Sequence, residues 1–189
     1  HYLLLSDEAL RGPGGHRLLC TPPLRAEATR ARHEALATAG AFDLLATDHC
    51  AFRKVDKDDW DGSDFRAVPN GLPGLGALVP LAFELLVKRH GRPLSELVRV
   101  LAANPARLLG LFPRKGAIVP GADADLVVLD PRGPSRPVRS TLADAHDPWS
   151  ARTTTLAVRH VLLRGEVVVR HGVLASPAAA RGQALTSLP

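Results

Sequence analysis

The first 113 residues alternate between short apolar runs and longer helical patterns. Residues 17–21 (RLLCT) form a short apolar run that stops at two prolines, which is typical of a strand. Residues 26–40 are rich in Ala and Arg and close at a glycine, which favours a helix. Residues 43–49 (DLLATDH) form the next apolar run. A strand, a helix and a strand within about thirty residues match the size of a βαβ unit, so the pattern predicts parallel pairing.

The middle of the chain predicts a long loop followed by helices. Residues 50–76 show no strong period and contain many Asp, Gly and Pro residues. A long loop of this kind inside a compact domain is usually functional. Apolar residues at helical spacing predict helices over 77–91, with Pro80 in the first turn, and over 93–104. Asn104 followed by a proline indicates an N-cap, and we expect a further short helix there.

The pattern changes beyond residue 115 to β-branched runs broken by Gly and Pro. Residues 124–130 (ADLVVLD) indicate a buried strand, and residues 161–172 indicate a hairpin that turns at Arg164–Gly165. The chain is therefore predicted to be α/β at first and all-β afterwards. We divide it into residues 1–113, residues 114–175 and a flexible tail over 176–189.

Composition narrows the function classes. Apolar residues make up 46% and charged residues 23%, which is ordinary for a globular protein. The net charge of +5 comes from scattered arginines, and the eight aromatic residues are not interleaved with them, so nucleic-acid binding is not favoured. No apolar stretch is long enough to span a bilayer. The two cysteines lie thirty residues apart and form no C-x-x-C pair, which favours reduced thiols in a cytoplasm over a zinc knuckle or a disulfide framework.

The chain contains no methionine and begins with His1. A complete translated chain normally starts with Met. We therefore expect this sequence to be part of a longer protein.

Three polar residues are expected at one edge of the predicted parallel sheet. Ligands bind at the carboxyl ends of parallel strands. Asp48 ends the run 43–49, Thr21 ends the preceding run, and Asn70 lies in the loop that follows. More ordinary interpretations stay open: Asp48 as a turn former, His49 as a packing residue and Asn70 as part of a simple turn.

Several motifs resemble one enzyme family in order and spacing. The chain is similar to the C-terminal part of the cyclic amidohydrolases, in the dihydropyrimidinase and hydantoinase branch. The motifs that carry this resemblance are HYLLLSDE (1–8), CTPPLR (20–25), ATDHCAF (46–52), VPNGLPG (68–74) and NPARLLGLFPRKGAIVPGADADLVVLDP (104–131). The resemblance implies an α/β fold: the C-terminal part of a (β/α)8 TIM-type metal-dependent hydrolase barrel, followed by part of a small β-sandwich.

The resemblance also implies a metal centre and a set of site residues. In the family, two divalent metal ions, commonly zinc, are held by a His-x-His pair, a carboxylated lysine, two more histidines and one aspartate. That aspartate matches Asp48, and the other ligands would lie upstream of this chain. Asp48 would then be both metal ligand and catalytic general acid/base, taking a proton from the attacking water and returning it to the departing ring nitrogen. Backbone groups at Thr21 and Asn70 would bind the substrate, and His49 would support the site.

The implied reaction is metal-dependent hydrolysis of a cyclic amide. A dihydropyrimidine or hydantoin ring would open to an N-carbamoyl amino acid. The segment AHDPWSART (145–153) resembles the ending of allantoinases and dihydroorotases, which are therefore alternatives, as is a non-catalytic scaffold or an inactive fragment. One carboxylate cannot hold two metals, so we expect the chain alone to be inactive.

The expected partners follow from the same resemblance. They are a small cyclic amide or imide substrate and further copies of the protein in a homodimer or homotetramer. We expect no nucleic-acid and no membrane partner, and a cytoplasmic location.

Overall fold

The computed structural model describes residues 1–140, 144, 146–175 and 182–186. Short 3-10 turns occupy Asp7–Arg11, Gly15–Leu18 and Phe65–Ala67. The helices are α1 (Glu27–Thr38), α2 (Lys54–Asp58), α3 (Leu78–Ala82), α4 (Leu94–Val98) and α5 (Asn104–Leu108). Two π-helical segments, Phe83–Arg89 and Arg99–Ala103, continue α3 and α4 respectively. The strands are β1 (Leu126–Asp130), β2 (Arg136–Pro137), β3 (Thr153–Thr154), β4 (Ala157–Leu163), β5 (Glu166–Arg170) and β6 (Val173–Leu174).

Helix α1 confirms the helix predicted over 26–40. Arg30 reaches Glu27 at i−3 and Glu34 at i+4, at the spacings that stabilise a helix surface. The helix is closed by Gly40, whose φ of 80° is the left-handed conformation that glycine adopts without strain. Glu34 is 8% exposed and also bonds Arg89 (3.1 Å) and His90 (2.8 Å), so it anchors α1 to the end of the α3 segment.

The predicted strands at 17–21 and 43–49 are absent from the described structure, and the βαβ prediction is therefore wrong here. Residues 17–18 belong to a 3-10 turn, and residues 43–48 are irregular. A strand needs a continuous hydrogen-bond ladder to a neighbour. These segments make only isolated backbone bonds in the described chain, such as Leu45 N to Val100 O at 3.1 Å. In the described residues, the parallel pairing of these segments is limited to one isolated β-bridge, between His49 and Leu72.

The predicted helices between 77 and 110 are confirmed, with one correction. Pro80 lies in the first turn of α3, where its missing N–H removes no helical bond. Asn104 is not an N-cap, because the helical segment Arg99–Ala103 runs directly into α5. The Asn104 side chain instead donates from Nδ2 to Asp43 O at 2.7 Å, which ties α5 to the segment before Asp48.

The all-β part is confirmed, but the burial predicted for the strand over 124–130 is wrong, because Val127 and Val128 in β1 are exposed in the described structure. Strands β1, β4, β5 and β6 form one antiparallel sheet in the order β1-β4-β5-β6, and β2 pairs with β3. The hairpin between β4 and β5 turns at Arg164 and Gly165, with φ of 48° and 85°. Positive φ at both central residues is the turn that matches the twist of a hairpin. Of the predicted tail, 176–181 and 187–189 lie outside the described residues.

The buried apolar residues connect the helical part to the all-β part. One cluster joins Ala77 and Leu81 of the α3 region to Val138 and Trp149. A second joins Phe83 and Leu97 to Leu156. A third contains Cys20, Leu24 and Leu72 and lies beneath the predicted site. The division at residue 113 stays a prediction. No helix in the described part of the chain is long and apolar enough to cross a bilayer.

Candidate functional site

Asp48 lies at the end of the irregular segment 43–48 in a left-handed conformation. Its φ is 49°, and its side chain is exposed. Aspartate is one of the few non-glycine residues that adopt this conformation readily. The next residue, His49, donates its N–H to Thr47 Oγ1 at 3.1 Å, which closes a local turn around Asp48. The turn directs the chain so that the carboxylate faces solvent and not the packed core.

His49 holds the neighbouring loop through its ring. Its Nδ1 accepts hydrogen bonds from the N–H groups of Gly74 at 2.9 Å and Leu75 at 3.0 Å. With Nδ1 used as the acceptor, Nε2 carries the proton of the neutral ring. The neighbouring Cys50 N donates to Leu72 O at 3.0 Å. The supporting role expected for His49 stays a prediction, and these contacts favour it, because they fasten the loop 72–75 beside Asp48.

Thr21 and Asn70 lie side by side, although 49 residues separate them in sequence. Thr21 Oγ1 donates to Asn70 Oδ1 at 3.4 Å, and Asn70 Nδ2 donates to Val68 O at 3.1 Å. Both side chains are exposed. The adjacent Gly71 N donates to Leu19 O at 2.9 Å. The structure therefore brings together the two positions at which substrate contacts are predicted.

Gly71 is required by close packing at this junction. Its φ is 152°, and a Cβ added there would lie 2.4 Å from Cys50 O. No side chain fits at that distance. The loop that carries Asn70 can therefore approach the Asp48 segment only because residue 71 lacks a side chain.

Asp48 joins the Thr21–Asn70 pair through the backbone and not through its own side chain. Among the residues that the structure describes, no hydrogen bond or ion pair links its carboxylate to either of them. The connection runs along His49 and Cys50 to the 70–72 loop. The Asp48 carboxylate is exposed, and its segment is bonded to the loop that carries Asn70.

Tyr2 is a candidate site residue that sequence analysis missed. Its hydroxyl donates to Pro22 O at 2.5 Å, beside Thr21. Burial, together with the nearby Cys20 thiol and the Asp48 carboxylate, raises the pKa of Tyr2 to about 12. The phenol therefore stays a neutral donor in the field of Asp48. One signal was present in the sequence, since Tyr2 is the single tyrosine of the chain.

A cavity of about 320 Å³ opens next to the Asp48 segment. Its walls are mostly apolar and include Tyr2, Phe42, Leu45, Thr47 and Trp149. Small-molecule sites are commonly concave and apolar, with a few polar groups at fixed positions. The cavity lies against residue 47, directly before Asp48.

The described residues do not by themselves make up a two-metal centre. Within the described ranges, no group of three or more His, Cys, Asp or Glu side chains is arranged to hold a metal ion. Asp48 is an exposed carboxylate of the type that divalent metals accept, but a protein zinc site takes three or four ligands. Asp48 therefore stays a predicted ligand that would need partners from elsewhere.

Known proteins resemble this chain across its whole length. The chain is 35% identical over 190 aligned positions to a D-phenylhydantoinase of Escherichia coli O1:K1 / APEC, covering 100% of this chain and 41% of that protein. A crystal structure of a D-hydantoinase superimposes with a TM-score of 0.83 at 33% identity, over 92% of this chain and 39% of that one. A D-hydantoinase (dihydropyrimidinase) from Thermus sp. superimposes with a TM-score of 0.84 at 30% identity, over 92% and 38%.

The comparisons show which family the chain belongs to and how much of its relatives' length it covers. The chain spans about two fifths of the length of the curated relatives that it matches. Residues 6–168 match the amidohydrolase family. Because that match covers most of the chain, and the solved relatives share its α/β fold, the chain belongs to the amidohydrolase family.

Proposed function

We propose that this chain is part of a hydrolase that opens a cyclic amide, either a dihydropyrimidine or a hydantoin, to an N-carbamoyl amino acid. The observation that carries the proposal is the similarity to a D-phenylhydantoinase over the full length of the chain. The contact between Thr21 and Asn70, and the backbone bonds from the segment after Asp48 to the loop that carries Asn70, support it. The (β/α)8 barrel with a β-sandwich is the architecture proposed for the whole protein.

Asp48 performs the proton transfers of the proposed reaction. Its carboxylate accepts a proton as the water oxygen bonds to the ring carbonyl carbon. The same proton then passes to the ring nitrogen as the carbon–nitrogen bond breaks, which releases a carboxylate and a ureido group. An exposed carboxylate in a left-handed turn suits this role, because no hydrogen bond in the described structure occupies its oxygens.

Asp48 is also the chain's own ligand in the proposed metal centre. Two divalent ions, most simply zinc, would activate the attacking water and polarise the carbonyl. The other ligands that the resemblance implies would come from residues that this sequence does not contain.

Thr21 and Asn70 orient the ring through their backbone groups. A cyclic imide presents alternating N–H and C=O groups, which are complementary to main-chain acceptors and donors. The two side chains are in contact at 3.4 Å, so the two positions are adjacent. Main-chain recognition also tolerates threonine at position 21, since the side chain is not the contacting group.

The first prediction concerns Asp48→Asn. The full-length protein is loaded with zinc, and hydrolysis of hydantoin, dihydrouracil, allantoin and dihydroorotate is measured. Loss of the proton-transfer group should lower kcat by about 10²–10⁴-fold with the fold intact by circular dichroism. Asp59→Asn, at an exposed aspartate that directly follows α2, is the matched control and should keep normal turnover. Ordinary activity in Asp48→Asn would show that Asp48 is not the acid/base.

The substrate panel separates the alternatives. Turnover of allantoin or dihydroorotate alone would move the protein to those enzyme types. No turnover of any ring, together with fewer than about two bound metals per protein, would favour a non-catalytic scaffold. Size-exclusion chromatography tests the proposed homodimer or homotetramer.

A further inference from the structure

Lys57 is among the largest side chains that the described part of the fold buries completely. It is 1% exposed, although it lies on the short surface helix α2. Lysine is almost never fully buried without a partner, because removing an ammonium group from water is costly. Burial lowers the pKa of Lys57, and the nearby Cys20 and Cys50 thiols partly offset this effect. The proposed acid/base chemistry does not use this residue.

The Lys57 ammonium contacts the candidate site through one backbone carbonyl oxygen, that of Leu19. Lys57 Nζ donates to Leu19 O at 3.3 Å, and Gly71 N donates to the same oxygen at 2.9 Å. Leu19 precedes Thr21 by two residues, and Gly71 directly follows Asn70. Three segments that are far apart in sequence therefore converge on a single acceptor beneath the Thr21–Asn70 pair.

Helix α2 is held in place without Lys57. Asp58, the next residue, accepts hydrogen bonds from Arg17 (Nη2 at 2.9 Å, and also Nε) and from Lys54 Nζ at 2.5 Å. His16 Nε2 lies 3.2 Å from the same carboxylate. The contacts from Arg17 and His16 attach α2 to the Gly15–Leu18 turn, whereas the contact from Lys54 lies within α2 itself. A buried ammonium adds no anchoring that an apolar side chain of similar length could not supply by packing.

We infer that Lys57 is a positioning residue for substrate binding, which bridges to Leu19 O and so sets the separation of the backbones at Thr21 and Asn70. This inference rests on the proposed function. The ammonium acts through Leu19 and Gly71 and does not touch the substrate. Its charge strengthens the bond to the carbonyl, since charge-assisted bonds are roughly twice as strong as neutral ones.

The test compares Lys57→Met with Lys54→Met in the full-length protein. Methionine keeps the unbranched shape and most of the apolar contacts of lysine at position 57, is one atom shorter, and donates no hydrogen bond. Lys54 lies on the same helix, is exposed and pairs with Asp58. We measure amide hydrogen exchange at Gly71, the denaturation midpoint, and KM and kcat for the ring substrate.

In Lys57→Met, Gly71 exchange should accelerate about tenfold and KM should rise about tenfold, with kcat within about twofold. The denaturation midpoint should not fall, because the cost of burying the charge is removed. Lys54→Met should leave KM and Gly71 exchange unchanged. Lys57→Arg, which still donates, should restore KM wherever it folds.

Two results would overturn the inference. One is that Lys57→Met fails to fold, or that it folds with a lowered denaturation midpoint and an unchanged KM. Either outcome would make Lys57 a structural residue only. The other is unaltered Gly71 exchange. If the unsubstituted protein hydrolyses no cyclic amide, the proposed function fails, while exchange at Gly71 still decides whether Lys57 holds the two segments together.

Discussion

Replacing Trp149 with phenylalanine tests how the all-β part of the chain supports the site. The Trp149 side chain is 2% exposed and packs against Ala77, Leu81 and Val138. Its Nε1–H donates to Pro73 O at 2.6 Å in a buried setting. Pro73 precedes Gly74, one of the two backbone donors to His49. The indole therefore fastens the loop that packs against the residue after Asp48.

The expected cost follows from these contacts. Phenylalanine keeps most of the ring but leaves the Pro73 carbonyl buried and unpaired, which costs about 1–3 kcal/mol. The smaller ring leaves a void that costs about 1 kcal/mol more. Trp149→Phe should therefore lower the free energy of unfolding by about 2–4 kcal/mol. Urea titration followed by far-ultraviolet circular dichroism measures this quantity without relying on the removed fluorophore.

Trp60→Phe is the matched control for this measurement. Trp60 is the other tryptophan of the chain, and its Nε1–H also donates to a backbone carbonyl, that of Asp64 at 3.0 Å. Trp60 is only partly buried, so water can replace the lost bond, and we expect a loss below about 1 kcal/mol. A loss at Trp149 no larger than the loss at Trp60 would refute the anchoring argument.

Two further predictions concern pH and backbone packing. Burial alone would raise the pKa of Glu34, but its bonds to Arg30, His90 and Arg89 outweigh this and lower it to about 2. Because the ordinary pKa is 4.5, the ionised Glu34 stabilises the folded state fully above pH 4.5, and this stabilisation is lost as the pH falls towards 2. Urea titrations at several pH values measure this loss, and Glu34→Gln should remove it. Gly71→Ala should destabilise by about 2 kcal/mol or more, because the new Cβ would meet Cys50 O at 2.4 Å. Gly62→Ala, where the space is open, should cost only the backbone strain of about 1 kcal/mol, and equal losses at both glycines would contradict the packing argument.

Local patterns predicted the elements whose hydrogen bonds close within the element or with the adjacent one. Helix α1 and its glycine end could be read from composition and spacing. So could the β4–β5 hairpin, because its turn at Arg164–Gly165 joins neighbouring strands. The motifs around Asp48, Thr21 and Asn70 identified the family before any geometry was known.

Local sequence patterns gave wrong predictions where the secondary structure depends on hydrogen-bond partners distant in sequence. The run 43–49 has the apolar character of a strand, but strand formation requires a ladder with another segment, and the described residues supply only one bridge, from His49 to Leu72. Asn104 has the sequence of a cap, but the preceding residues are already helical, so its amide bonds Asp43 O. In both cases the local conformational preference did not decide the structure, because contacts with residues distant in sequence favoured another conformation.

The sequence by itself determined the family, the chemical type of each candidate site residue and most of the helices, because these depend on residue identity and short-range spacing. Tertiary structure alone decided which residues meet. It brought Thr21 into contact with Asn70, buried Lys57 beneath that pair and placed Tyr2 in the field of Asp48. The physical reason is that burial and long-range hydrogen bonds depend on the positions of segments tens of residues apart, and no local pattern encodes those positions.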